Sequence, residues 1–186
     1  TTANSSTPSI VQPSAQNVPS PTPSSNNRQN SSRQAPTNRK QPSKLNTSVD
    51  AYINQGLTYH RQRNYQQAIS SYSKAIALNP NSTKAYSNRA SAYIGQKDYP
   101  KAIADSSKAI SLNPNYANAY INRGLAYYRQ GNSKGAIANY TRAIELAPGN
   151  AIAYNNRALA YTRLGNKQAA QADKRKAAIL SQRQSQ

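Results

Sequence analysis

The sequence predicts an all-α protein, an α-solenoid of four helix–turn–helix repeats behind a disordered N-terminal tail. Two observations carry that reading. The tripeptide Asn79-Pro80-Asn81 returns as Asn113-Pro114-Asn115, and Pro148 falls one period further on, each step being 34 residues. A fixed period of that length marks stacked supersecondary units that bury a core between neighbours. The composition also changes near residue 48, dividing the chain into a tail of residues 1–48 and a repeat domain of residues 49–184.

The tail is dominated by Ser, Thr, Asn, Gln and Pro, as in Pro19-Ser20-Pro21-Thr22-Pro23-Ser24-Ser25-Asn26-Asn27. Its few apolar residues follow no period, so it cannot bury enough surface to offset the entropy of ordering. It carries Arg28, Arg33, Arg39, Lys40 and Lys44 and no acid, which makes it either a spacer or an arm for an acidic surface.

The repeats are expected at 49–82, 83–116, 117–150 and 151–184. Aligned on the prolines, Tyr52, Tyr86, Tyr120 and Tyr154 share a column, as do the small residues Gly56, Ala90, Gly124 and Ala158. Further columns hold Tyr59, Tyr93, Tyr127 and Tyr161, then Ala68, Ala102, Ala136 and Ala170, then Ala75, Ala109, Ala143 and Ala177. The first half of each repeat places these residues at helical spacing, and the second half does the same, as in Ala68, Ile69, Tyr72, Ala75 and Ile76. Asn64, Asp98, Asn132 and Asn166 stand between the halves as N-caps. Pro100 falls in a first helical turn, where its missing N–H is tolerated, and Pro80, Pro114 and Pro148 end the second helices. In the last repeat Gln171 replaces Ile69, Ile103 and Ile137, and Lys174 replaces Tyr72 and Tyr140, so its final helix is expected to face solvent as a cap, the chain as given closing at Gln186.

These columns resemble the tetratricopeptide repeat. Residues 117–150 carry the family's whole pattern in Tyr120, Gly124, Tyr127, Ala136, Tyr140, Ala143 and Pro148. Ser106 and Lys174 depart from its second aromatic, and Gln182 from its Pro. The Asn- and Gln-rich style is similar to bacterial, particularly cyanobacterial, members. The resemblance implies a right-handed solenoid whose first helices line a concave groove that takes extended or helical peptides of a protein partner.

On that implied groove the candidate binding residues are the column Asn54, Asn88, Asn122 and Asn156, beside Lys84, Asn118 and Ile152, with His60, Arg61, Tyr128 and Arg129 further along. An Asn amide both donates and accepts, so the column suits a peptide backbone; equally, it could tie one helix to the next repeat. Arg89, Arg123 and Arg157 form a neighbouring column, either a solvated flank or a partner contact. Together these residues suggest a polar, basic groove with Tyr128 as a stacking platform. One subclass of the family clamps terminal carboxylates with a Lys/Asn/Asn/Lys/Arg set. Here the two possible frames hold Ile53, Leu57, Asn88, Asn118 and Asn122, or Ser87, Ser91, Asn122, Ile152 and Asn156, and each matches at one position only.

Charge and composition bound the function. The chain has 24 Lys and Arg against 5 acids, a net charge of +19, and the repeat domain alone carries +14. An acidic protein, nucleic acid or an anionic membrane surface are therefore all admissible partners. The absence of Cys excludes disulfides and thiolate chemistry. The absence of Met implies that the chain as given does not start at a natural initiator: either a targeting segment was removed, which would suit an extracytoplasmic or formerly membrane-anchored protein, or the sequence is an excised piece, and the compartment stays open. The five acids are scattered, His60 has no acid to orient it, and neither a phosphate loop nor a metal-ligand cluster occurs, so neither an enzyme nor a cofactor or small-molecule substrate is expected. The reading is a non-catalytic interaction scaffold for an extended or acidic segment. The alternatives are RNA binding through the basic surface, with Tyr for stacking, and a subunit of a large acidic assembly.

Overall fold

A computed structural model describes residues 44–183, which form eight helices and no strand. They are α1 (Lys44–Arg61), α2 (Tyr65–Leu78), α3 (Thr83–Gly95), α4 (Tyr99–Leu112), α5 (Ala117–Arg129), α6 (Ser133–Leu146), α7 (Ala151–Arg163) and α8 (Lys167–Arg183). The expectation for residues 1–43 lies outside the described residues. α1 begins at Lys44, ahead of the boundary expected after residue 48. The buried Val49 and Ile53 explain the difference: holding them in register needs a full helical turn before them.

The turns inside the repeats are one device used four times. Asn64, Asp98, Asn132 and Asn166 cap their helices by accepting a hydrogen bond from the main-chain N–H three residues on. Their own N–H groups reach back to the carbonyls of Tyr59, Tyr93, Tyr127 and Tyr161 at 2.9–3.0 Å, which closes the C-terminus of the preceding helix. The residue before each cap is left-handed, with φ of 59° at Arg63, 64° at Lys97, 88° at Gly131 and 76° at Gly165. Pro100 lies in the first turn of α4, and Pro80, Pro114 and Pro148 follow the last residues of α2, α4 and α6.

The core is built from the columns. The first three alanines of both Ala columns have no exposed surface, and Ala170 and Ala177 are nearly as buried. The small column admits the aromatic one. A Cβ on Gly56 would lie 2.4 Å from the Tyr72 ring, and one on Gly124 would lie 2.7 Å from Tyr140. Where the small residue is Ala90 or Ala158, the facing position sixteen residues on is Ser106 or Lys174 rather than Tyr. The two columns thus vary together as a lock and its key. Tyr72 and Tyr140 are fully buried, and neither hydroxyl has a hydrogen-bond partner. Burial pushes the Tyr72 phenol up to about 12, against a smaller opposing effect of Arg61, and raises Tyr140 as well.

Each helix packs on the next in sequence, and α1, α3, α5 and α7 also touch one another in turn, whereas α2, α4, α6 and α8 do not. The first helices therefore form the inner wall of the stack, and residues on their free faces converge. Gln171 and Lys174 are exposed on α8, as the capping expectation requires.

Candidate functional site

A cavity of about 310 Å³ opens on the inner wall across α3, α5 and α7. It brings together Asn88, Asn118, Asn122 and Asn156, with Ser87 and Ser91 on one side and Ile121, Leu125 and Ile152 on the other. Ile152 is 63% exposed. No residue lining the cavity carries a formal charge, so the site is an amide- and hydroxyl-rich cleft with an apolar patch. This departs from the basic groove expected from the sequence, because the arginines beside the Asn column are engaged elsewhere.

The Asn column divides. Asn122 Nδ2 donates to the Ser87 carbonyl at 2.9 Å and approaches Ser87 Oγ at 3.2 Å, so this residue ties α5 to α3. Asn88 Nδ2 is buried without a partner in the protein, leaving two donors unsatisfied at the cavity wall. Asn156 lines the cavity half-buried, and Asn54 stands exposed on α1, outside it.

The other candidates lie apart. Lys84 lines a second hollow of about 260 Å³ with Asp50, Ile53 and Ser82. His60 makes a 3.2 Å contact from its Nε2 to Ser91 Oγ and meets Tyr65 edge-on at 5.3 Å, which joins the first repeat to the second. Arg61 and Arg129 are exposed. Tyr128 is not an open platform. The Arg163 guanidinium stacks 3.8 Å from its ring centre, and Arg163 Nη1 donates to the Tyr128 carbonyl at 2.6 Å. Indeed, all 14 tyrosines are buried or half-buried.

The Arg89, Arg123 and Arg157 column is neither a solvated flank nor a contact surface. Arg89 forks onto both carboxylate oxygens of Asp105 at 2.7 and 2.9 Å, and its Nη1 donates to Ser73 in the preceding repeat at 2.9 Å. Arg157 does the same with Asp173 and Thr141, at 2.7, 2.8 and 3.0 Å. Arg123 uses the neutral Asn139 at 2.7 Å and Ser107 at 3.2 Å. Each guanidinium lies within 6 Å of one or two Tyr rings, among them Tyr86, Tyr120 and Tyr154. Every such Arg therefore staples three helices of two adjacent repeats. In the first repeat the same position is Gln55, which accepts from Ser71 Oγ at 3.1 Å. The bonded carboxylates hold Arg89 and Arg157 above the usual guanidinium value.

The sequence reading overlooked Ile121 and Leu125, and weighed Ser87 and Ser91 only as carboxylate-clamp positions. Their signal was present as two pairs at a spacing of four, but it becomes visible only when the whole inner face is read rather than the identical column within it. Among the described residues no group of three or more His, Cys, Asp and Glu side chains could hold a metal ion, and no helix is long and apolar enough to cross a membrane.

Comparison with known proteins agrees with this architecture. The family pattern described as tetratricopeptide repeat matches residues 49–82 and 117–150; related patterns of the same repeat match 90–131, and 71–104 with 139–172. No curated protein matches the chain. Among solved structures it is similar to MamA, at 31% identity over 74% of this chain and 80% of that one, with a TM-score of 0.65. It is also similar to the first TPR domain of human RPAP3, at 31% identity over 65% and 95%, with a TM-score of 0.62. A third is the first TPR of Spaghetti (RPAP3) bound to the HSP90 peptide SRMEEVD, at 31% identity over 64% and 94%, with a TM-score of 0.61. With its repeats, its right-handed solenoid and these relatives, the chain belongs to the tetratricopeptide-repeat family of protein-interaction modules.

Proposed function

We propose that the protein is a non-catalytic scaffold whose inner groove holds an extended segment of a partner protein, read mainly through the segment's main chain. The observation that carries this reading is the cavity itself. It gathers Asn88, Asn118 and Asn156, each able to pair with peptide N–H and C=O groups, around Ile121, Leu125 and the exposed Ile152. Each amide bond would contribute roughly 0.5–1.5 kcal/mol, and the apolar patch gives one side chain a seat. The buried, unpartnered Nδ2 of Asn88 adds to this, since such a group costs stability until something accepts from it.

A relative 31% identical binds the peptide SRMEEVD. The same groove chemistry is not transferred, because the positions of the clamp's two lysines are Ile53 and Asn118 in one frame and Ser87 and Ile152 in the other. The ligand's end is therefore not what is recognised. Nucleic acid is disfavoured as the groove's occupant by the neutral lining, which also includes no aromatic ring for a base to stack on.

The test is to pan a displayed random peptide library on the full chain and measure the enriched peptides against Asn88→Ala/Asn156→Ala. Asn122 is left intact because it joins two helices. We expect affinity to fall roughly five- to tenfold for the double variant with an unchanged melting curve. Unaltered affinity would remove the groove from the account.

A further inference from the structure

The positive charge is not spread evenly over the described domain. α8 presents Lys167, Lys174, Arg175, Lys176 and Arg183, all exposed, and none has an ion-pair partner among the described residues. Its one acid, Asp173, is buried under Arg157. The other second helices differ. α4 exposes Lys101 and Lys108, of which the first is paired with Asp98, and α6 exposes Lys134 and Arg142, of which the second is paired with Glu145. α2 exposes only Lys74, which sits over the Tyr52 ring.

A solvated cap explains polar residues here, but not this choice of them. The first turn of α8 contains no acid and begins with Lys167, a cation at the positive end of the helix dipole. No acid is exposed on α8 to offset these cations. Asp, Glu, Ser or Gln would all keep this surface wet and would fold more readily. A cleft of about 320 Å³ between α7 and α8 lies next to the charge, lined by Thr162, Ala170 and Gln171 and flanked by Lys167 and Lys174. Lys174 holds the position that Tyr72 and Tyr140 occupy in the first and third repeats.

We propose that the outer face of α8, with this cleft, is a docking surface for an acidic polypeptide segment, separate from the inner groove. Carboxylates would meet the five cations, and one acidic side chain would enter the cleft between Lys167 and Lys174, with the Gln168, Gln171 and Gln182 amides available as further donors. The neighbouring chemistry selects a polypeptide over the other polyanions. Neither α8 nor the lining of the cleft includes an aromatic residue on which a base could stack. Ile179, at 47%, is the most exposed large apolar side chain on α8, and by itself it gives a lipid surface little to bury.

Fluorescence anisotropy of the full chain with a labelled Glu/Ser copolymer peptide at physiological salt tests this directly. Duplex DNA, single-stranded RNA and phosphatidylglycerol vesicles serve as parallel probes. Lys167→Gln/Lys174→Gln and, on the same helix, Arg175→Gln/Lys176→Gln should each weaken the acidic peptide roughly tenfold. Lys108→Gln/Lys134→Gln removes equal charge elsewhere and should change it less than about twofold. Circular dichroism checks that each variant is folded, and the two α8 pairs give independent readings. Equal losses from all three pairs would mean that net charge alone binds. That result, no binding of the acidic peptide, or tighter binding of DNA, RNA or vesicles than of the peptide would overturn the proposal.

Discussion

At the scale of single residues, the most informative positions are the three stapling arginines. Arg89 and Arg157 face carboxylates whose side chains are 10% and 8% exposed, and Arg123 faces an amide. Removing an arginine from a half-buried fork leaves the carboxylate stranded, which costs about 2–3 kcal/mol, whereas the loss opposite Asn139 is about 1 kcal/mol. Arg89→Ala and Arg157→Ala should therefore lower the denaturation midpoint more than Arg123→Ala, and urea titrations of the three variants would expose the opposite order. Tyr72 gives a second prediction. Its folded pKa of about 12 lies above the ordinary value of 10.0, so its contribution to stability is fully present below pH 10 and is lost as the pH rises through 12. Tyr72→Phe removes a hydroxyl that has no partner. Its stability at neutral pH should stay within about 0.5 kcal/mol of the parent, and its alkaline melting curve should fall less steeply. A large loss at neutral pH would show that the hydroxyl is bonded after all.

At the scale of elements, the contact between the first and second helix of a repeat depends on the small column. Gly124→Ala gains about 1 kcal/mol of helix propensity, but its Cβ meets the Tyr140 ring at 2.7 Å inside a packed core. Overpacking costs about 1–3 kcal/mol, so a net loss is expected. Tyr140→Ser alone should cost about 3–5 kcal/mol of buried ring, but in that background Gly124→Ala, the pairing already present at Ala90 and Ser106, should no longer be unfavourable, a coupling that a double-mutant cycle of thermal melts reads. Helix ends, turns and the core columns were legible in the sequence because each is fixed locally: a cap, a proline or a small residue acts within a few positions of itself. The staples were not. Arg89, Ser73 and Asp105 are sixteen residues apart in each direction, and that interval becomes a contact only once the helices are stacked. Tyr128 was misjudged for the same reason, since its ring is covered by Arg163 of the following repeat.

At the scale of the whole molecule, the solenoid separates two kinds of surface. Its inner wall is neutral and amide-lined across α3, α5 and α7, while the unpaired positive charge is densest on α8. The candidate column was half legible. Four identical Asn residues signalled the inner face, yet the same face uses Asn122 to join two helices and leaves Asn54 outside the cavity. Identity along a column reports a shared environment, and the sequence alone does not say whether a neighbouring helix or a ligand fills it.

The central claim is that Asn88 and Asn156 read a bound main chain. The most direct test follows their side-chain NH₂ resonances by nuclear magnetic resonance while a library-selected peptide is titrated into the full chain. The account predicts downfield shifts and slowed exchange for the Asn88 amide, whose Nδ2 now lacks a partner, and for Asn156 with it. Saturable binding that leaves both resonances where they were would contradict it.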